Sequence, residues 1–396
     1  MAIPNPCRVA VLATHPVHYQ VQLFRRLSQI PELDVTLLFC SRLGLSRQID
    51  PTFGIEVQWY DESILDGCKY KFLENPLWER GPTSVYATIS PSVFKEVTSN
   101  SYDVLLVQGY AGITEWFAIA AAIKKSCSVL FRGDTAINTH ASIGRKIMRW
   151  IIMQALSKSV DSFLAIGTRS KEFFLHYGIK PERIVLSPYA VDNDFFFSKA
   201  EQLNSRKREI RECLGIPRDV PVVLYISKMI PRKRPLDLLR AFEQLDVDAF
   251  LLFVGDGPLK PHIVNHVGKK NMKNVLCVGF KTQEEICKFY AIADVFVLPS
   301  EYDIWGVVVN EAMCFSLPII TTNEVLSSAD LVANKGNGFL YKAGNVEMLH
   351  AALQNLVRHR ELRLEMGRQS RMIIQGWDQN ASVNGICQGI SMALRH

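Results

Sequence analysis

Short aliphatic runs alternate with longer stretches of helical periodicity along most of the chain. The runs CRVAVLAT (Cys7–Thr14), DVTLLFC (Asp34–Cys40), YDVLLVQG (Tyr102–Gly109), CSVLFRG (Cys127–Gly133), SFLAIG (Ser162–Gly167) and RIVLSP (Arg183–Pro188) predict strands, and amphipathic stretches such as QVQLFRRLSQI (Gln20–Ile30) predict helices between them. Strands that read as continuous apolar runs are buried on both faces, which is the signature of a parallel sheet covered by crossover helices. The pattern restarts at VPVVLYIS (Val220–Ser227) and continues through AFLLFVG (Ala249–Gly255), NVLCVG (Asn274–Gly279), DVFVLPS (Asp294–Ser300) and PIITT (Pro318–Thr322). PLDLLRAFEQL (Pro235–Leu245) and QEEICKFYAIA (Gln283–Ala293) supply helices in this second series. The polar stretch KAEQLNSRKREIRE (Lys199–Glu212) separates the two series and predicts a boundary within 195–215. The expectation is an α/β chain of two Rossmann-like, parallel-sheet domains facing a cleft, with ligands at the carboxyl ends of the strands.

A chain of 396 residues supports two such domains, each with a core large enough to fold without staples. No apolar run approaches the ~18 residues of a membrane span. The opening MAIPNPCRVAVLA lacks the basic start, apolar stretch and cleavage site of a signal peptide. Nine cysteines are scattered without a close pair, which argues against a disulfide framework or a metal cluster and fits a reducing cytoplasm. The net charge of +6 favours anionic partners. No basic stripe interleaved with aromatics and no nucleic-acid-binding signature is present, so nucleic acid is not an expected partner.

Three segments carry candidate chemistry. In Pro299-Ser-Glu-Tyr-Asp-Ile-Trp-Gly-Val-Val-Val-Asn-Glu311, a strand ends at Pro299-Ser300, a loop follows with Asp303, and a helix starts near Gly306 and carries Glu311. Free N–H groups at that helix start suit a phosphate, and two carboxylates at different depths suit two sets of sugar hydroxyls. A capping Asp303 and a solvated Glu311 account for the same spacing. In Ile226-Ser-Lys-Met-Ile-Pro-Arg-Lys-Arg-Pro235, the cations Lys228, Arg232, Lys233 and Arg234 lie in a strand-to-helix loop, where they can neutralise a diphosphate leaving group or be merely solvated. Val254-Gly-Asp-Gly-Pro258 places a glycine turn, with Gly255, in the same layer.

Taken in order, the basic loop, Gly-Asp-Gly-Pro, Pro-Ser before an acid-x7-Glu, Pro318-Ile-Ile and Asn337-Gly-Phe-Leu resemble the C-terminal domain of retaining glycosyltransferases of family 4, which have the GT-B fold. The likeness covers about residues 220–345. Pro188-Tyr-Ala-Val-Asp192 with Phe195 resembles that family's domain-handover segment. The opening Thr14-His-Pro-Val-His-Tyr-Gln20 and the stretch from Trp59 through Leu65-Asp-Gly67 to Tyr70-Lys-Phe-Leu73 resemble a bacterial branch of it.

The resemblance implies a nucleotide-sugar donor domain at 216–375, an acceptor domain at 1–195, and a final helix, 376–396, crossing back to the first domain; Trp377 could anchor that crossing, with core packing the plainer reading. It implies that Glu311 holds ribose hydroxyls, that Asp303 sits near the donor sugar, and that Lys228 and Lys233 clamp the diphosphate, with Arg232 and Gly255 nearby. The backbone of Ile304, Trp305, Gly306 and Val307 would line the sugar and phosphates. No cofactor or metal site is required, because the lysines can stabilise the departing diphosphate. Three positions depart from the family pattern. Asp303 stands for the usual Glu, Lys228 for the commoner Arg, which loses a bidentate fork, and His15-Pro-Val-His18 for a glycine pair.

On the acceptor side, Phe131-Arg-Gly-Asp-Thr135 ends a strand where the family often has a histidine, so Asp134 could orient a hydroxyl while Arg132 meets the acceptor or pairs with Asp134. His15, His18 and Tyr19 follow the first strand as further acceptor candidates; a packed or capping histidine is the plainer reading. The stretch Ala141–Leu156 is basic and apolar at helical spacing. Such a helix can lie on an anionic membrane and so serve a lipid-linked acceptor, but a core helix with Arg145, Lys146 and Arg149 on its wet side is the favoured expectation. The expected function is metal-independent transfer of a sugar from a nucleoside diphosphate, UDP first and GDP next, to a sugar, lipid-linked or small-molecule hydroxyl in the cytoplasm. A nucleotide-sugar-modifying or dinucleotide-dependent Rossmann enzyme would carry Gly-x-Gly-x-x-Gly after the first strand, which Thr14-His-Pro-Val-His lacks. A catalytically silent binding protein of the same fold stays open.

Overall fold

The computed structural model describes residues 5–45, 61–75, 88–137 and 142–395, together with the backbone of 48–50 and 55–57. Trp59, His140 and Ala141 lie outside the described residues. Contacts divide the described residues into two compact units: those up to Tyr189, rejoined by the chain from Gln379 onward, and Ala190–Asp378.

The first unit contains β1 (Cys7–Ala13), β2 (Leu33–Phe39), the hairpin β3 (Gln48–Asp50) and β4 (Ile55–Val57), β5 (Lys69–Phe72), β6 (Val104–Gln108), β7 (Ser128–Gly133), β8 (Ser162–Ala165) and β9 (Ile184–Leu186). Its main sheet has the order β5-β2-β1-β6-β7-β8-β9, with every pairing parallel. Alternate residues of the strands feed two apolar layers. Val9, Leu106, Leu130 and Leu164 face the helices His18–Ser28 and Gln379–Ala393, while Ala10, Leu105, Phe131 and Phe163 face the helices on the other side. In this unit the strands absent from the sequence reading are β5 and the short hairpin; in the second unit Gly338–Tyr341 was not read as a strand either. β5 is an edge strand whose lysines and Tyr70 are exposed, so it never forms an apolar run.

The second unit contains β10 (Val222–Ile226), β11 (Phe250–Val254), β12 (Val275–Cys277), β13 (Val295–Leu298), β14 (Ile319–Thr322) and β15 (Gly338–Tyr341), in the order β12-β11-β10-β13-β14-β15, again all parallel. Counted within the unit this is the doubly wound 3-2-1-4-5-6 order, and the chain reverses direction across the sheet between β10 and β13. Loops leaving the carboxyl ends of those two adjacent strands diverge to opposite faces and leave a crevice there.

The expected boundary at 195–215 is corrected. The division falls at Tyr189, and the polar stretch forms two helices, Asn193–Asn204 and Lys207–Cys213, within the second unit. Their polarity misleads because only one thin face of each is buried. Asp192 caps the first by accepting from the Phe195 N–H at 3.2 Å. Arg211 anchors the second, donating to the Ile292 carbonyl at 2.6 Å and to Asp294 at 2.5 Å. The last helix begins at Gln379 rather than 376 and packs on β7, β8, β9 and the helix His18–Ser28.

Gly385 allows that helix to lie against the sheet, since a Cβ there would stand 2.1 Å from the Leu186 carbonyl oxygen. On helix propensity alone Gly385→Ala would stabilise by about 1 kcal/mol. The close approach reverses the sign, and the substitution is expected to destabilise by about 1–3 kcal/mol. Urea unfolding of the variant against the native chain checks this.

Candidate functional site

The crevice between β10 and β13 is built from the two loops singled out in the sequence. After β10 the chain runs through Lys228 and a single 3₁₀ turn, Pro231–Lys233, before Pro235 opens the helix Pro235–Glu243. After β13 it passes Pro299, Ser300 and Asp303 and enters the helix Val307–Cys314 through Gly306, whose φ of +78° suits glycine. The first N–H groups of that helix have no intrahelical acceptor and carry the positive end of its dipole.

The two loops are joined by an ion pair. The Lys233 ammonium donates to Asp303 Oδ2, with side chains only 10% and 15% exposed. Burial pulls the Lys233 pKa down, and so do neighbouring Arg232 and Lys228; Asp303 opposes them and favours the charged form. The Asp303 backbone is fixed as well, its N–H donating to Glu324 O at 3.2 Å and its carbonyl accepting from Leu326 N at 3.0 Å. Arg232 is exposed on the same loop and donates to the Tyr302 carbonyl at 2.6 Å, while Glu301 N donates back to Arg232 O at 2.8 Å. The basic loop and the acidic loop are thus tied by backbone, side-chain and ionic links at once.

Glu311 lies about one turn into the helix and is buried. The hydroxyl of Tyr290, itself fully buried, donates to Glu311 Oε2 at 2.8 Å. Burial pushes the carboxyl up to about 7, with the Tyr290 hydrogen bond pulling the other way. Tyr290 escaped the sequence reading because an aromatic on an apolar helical stripe looks like any core residue.

The glycine turn after β11 supports the site. Gly255 donates to the Gly279 carbonyl at 2.9 Å, and a Cβ on it would meet the Ser227 carbonyl oxygen at 2.1 Å; one on Gly257 would meet Met229 O at 2.7 Å. Met229 N in turn donates to Asp256 O at 2.8 Å. Gly255 thus cradles the basic loop. Trp305 was expected to line the crevice through its backbone. Its side chain is buried, donates from Nε1 to Asn310 Oδ1 at 3.0 Å and lies 5.7 Å from the Trp377 ring, leaving only its backbone for the crevice. Trp377 belongs to the second unit, so it anchors this loop and not a crossing to the first. Ile304 is exposed and Val307 half-buried.

In the first unit, the segments after β1 and β7 also converge at the strand ends. Arg132 is corrected from an acceptor contact to a buried cross-tie. Its Nη2 donates to Ser187 O and Pro188 O at 3.1 Å and to Ser382 Oγ at 3.0 Å, and its guanidinium lies over the Tyr189 ring. Tyr19 meets Tyr189 edge-on at 5.4 Å, and the Tyr189 hydroxyl reaches Asp134 Oδ2 at 3.5 Å. Burial raises the Asp134 pKa, while Arg132 and Tyr189 lower it. His15 approaches the Thr14 hydroxyl at 3.0 Å, and burial lowers its pKa, so its imidazole is neutral near pH 7. His18 opens the helix His18–Ser28, with Gln22 at 3.4 Å. Gln108 pairs in register with Arg132 across β6 and β7, and its buried amide oxygen and nitrogen, like Thr135 Oγ1, meet no hydrogen-bond partner among the described residues. A polar residue closing the apolar run of β6 was the available sign of Gln108. At Gly133, where the family often has histidine, a Cβ would stand 2.7 Å from the Phe131 ring.

Two Rossmann-like, all-parallel units, the second in the doubly wound order, give the chain the GT-B fold. Residues 206–372 match the family model described as glycosyl transferases group 1. The chain is 26% identical over 348 residues to the sulfoquinovosyl transferase SQD2 of Arabidopsis thaliana, covering 84% of this chain and 64% of that protein. It spans about half to two thirds of the length of the curated relatives it matches most strongly. The crystal structure of a glycosyltransferase from Rickettsia africae superposes with a TM-score of 0.76 at 16% identity, covering 99% of this chain and 100% of that one. Anabaena HepE in complex with UDP superposes with a TM-score of 0.73 at 14% identity, covering 97% and 99%. At these identities the superpositions define the fold.

Because the Glu311 carboxyl titrates near 7 when folded and near 4.5 when free, the folded state holds its proton more tightly, and stability is lost as pH rises from about 4.5 through 7. Glu311→Gln removes this loss while keeping an acceptor for Tyr290. Above pH 7 the variant is expected to exceed the native chain in unfolding free energy by up to about 3 kcal/mol, with the gap closing toward pH 5. Parallel urea titrations across that range measure it.

Proposed function

We propose that the protein transfers a sugar from a nucleoside diphosphate sugar to an acceptor hydroxyl, with retention at the anomeric carbon and without a metal ion. The observation that carries this reading is the buried Lys233–Asp303 pair at the switch point, beside a helix N-terminus and in front of a second buried acid, Glu311. Each group has a task that sugar transfer needs. Glu311, when ionised, accepts hydrogen bonds from the ribose hydroxyls. The helix start and the loop cations Lys228 and Arg232 receive the diphosphate. Lys233, desolvated and now balanced by Asp303, exchanges that partner for a phosphate oxygen as charge builds on the leaving group. Asp303, thereby released, accepts hydrogen bonds from the donor sugar.

The acceptor attacks on the face that the diphosphate leaves, and a phosphate oxygen takes its proton, so the scheme uses no protein nucleophile. Lysine cations supply the charge that a bound metal would otherwise supply. UDP is the first choice of nucleotide, by analogy with the solved HepE complex, and GDP the second. The acceptor seat is assigned to the first unit, where Asp134, His15, His18 and Tyr19 stand near the strand ends and Gln108 and Thr135 offer unmatched hydrogen-bonding groups.

Glu311→Ala is expected to abolish stabilisation by UDP in a thermal-shift assay. Lys233→Met is expected to lower kcat by about 10²–10³ with a smaller change in KM, because leaving-group charge develops in the transition state. Release of nucleoside diphosphate from a panel of nucleotide sugars measures both the donor and the turnover. Unchanged turnover in folded Lys233→Met protein contradicts the scheme.

A further inference from the structure

The helix Ile143–Ser159 differs from the expectation of a core helix. Only Met153 and Leu156 are buried in it. On the opposite face Ile143, Ile147 and Ile151 follow one another at four-residue spacing, flanked by Met148 and Trp150, and all five are exposed, Ile143 by 78% and Trp150 by 56%. Monomeric proteins rarely leave a row of large apolar side chains uncovered without a partner for it. Periodicity in the sequence reports that a helix has an apolar stripe, and it is silent on whether the fold covers that stripe.

The charge on the helix selects the partner. Its charged side chains are all cations, Arg145, Lys146, Arg149 and Lys158; Lys146 and Lys158 flank the isoleucine row, while Arg149 is half-buried and lies over the Phe173 ring at 5.9 Å. Burial against a second copy of the same face would set these cations against their own kind, which disfavours a dimer. An anionic lipid surface satisfies both features, with the isoleucines and Trp150 below the headgroups and the cations among the phosphates. A tryptophan at the edge of such a face suits the headgroup layer. No helix among the described residues is long and apolar enough to cross a membrane, so the contact is peripheral.

We infer that the first unit docks on anionic membranes through the exposed face of the helix Ile143–Ser159. This reading is independent of the donor chemistry. It places the protein where lipid-linked or membrane-anchored hydroxyls are available.

The test is flotation of the full chain with vesicles of phosphatidylcholine alone and of phosphatidylcholine with phosphatidylglycerol. Binding is expected on the anionic vesicles, weakened by salt, with a blue shift of tryptophan emission that Trp150→Phe removes. Ile147→Asp with Ile151→Asp, both on the solvent face, is expected to reduce binding about tenfold or more. Arg145→Ala should reduce it by about fivefold. Unchanged thermal unfolding of the Asp variants shows that the fold survives, and an unchanged UDP thermal shift separates this test from the assignment of the donor site. Absence of flotation, or equal flotation of the double variant, overturns the inference. So does light scattering that shows a native dimer which the double variant dissolves, since the face would then be covered by a second copy.

Discussion

One buried ion pair organises the second unit. Lys233 and Asp303 come from loops that leave adjacent parallel strands in opposite directions, and each is nearly out of water. Removing either partner alone would strand a desolvated charge, at a cost of about 3–5 kcal/mol. A pair of this kind contributes little net stability when intact, but it fixes where the two loops stand. It also stores a cation that an incoming anion can recruit without new desolvation. The same contact therefore joins fold and chemistry.

The rest of the unit is arranged to hold that pair in place. The Gly-Asp-Gly turn after β11 supports the basic loop through backbone contacts too close for any side chain at Gly255. The Trp305 ring, buried beside Trp377 and Asn310, pins the acidic loop from behind. Gly306 lets the chain turn straight into a helix whose N-terminus faces the crevice. Asp303 in place of the family's usual glutamate is one methylene shorter, and in this geometry the shorter acid reaches Lys233.

How much of this could be read beforehand depended on whether the signal was local. Central strands such as β6, β10 and β13 are buried on both faces and announce themselves as apolar runs, so the two parallel sheets were legible. β5, an exposed edge strand, and the polar helices Asn193–Asn204 and Lys207–Cys213 were not, because partners distant in sequence decide their burial. Lys233, Asp303 and Glu311 were found through their spacing, yet nothing local shows that Lys233 and Asp303 meet, seventy positions apart. The ambiguous residues resolved by tertiary context as well. Arg132 and Trp305 turned inward, while Ile143, Ile147 and Ile151 stayed outside.

The central claim is that Lys233 trades Asp303 for a diphosphate. A crystal structure of the protein soaked with UDP tests it most directly. The expected complex has a phosphate oxygen within hydrogen-bonding distance of Lys233 Nζ, the Asp303 carboxylate drawn away, and the ribose hydroxyls on Glu311. A nucleotide bound with the Lys233–Asp303 pair intact, or bound away from the β10–β13 crevice, would contradict it.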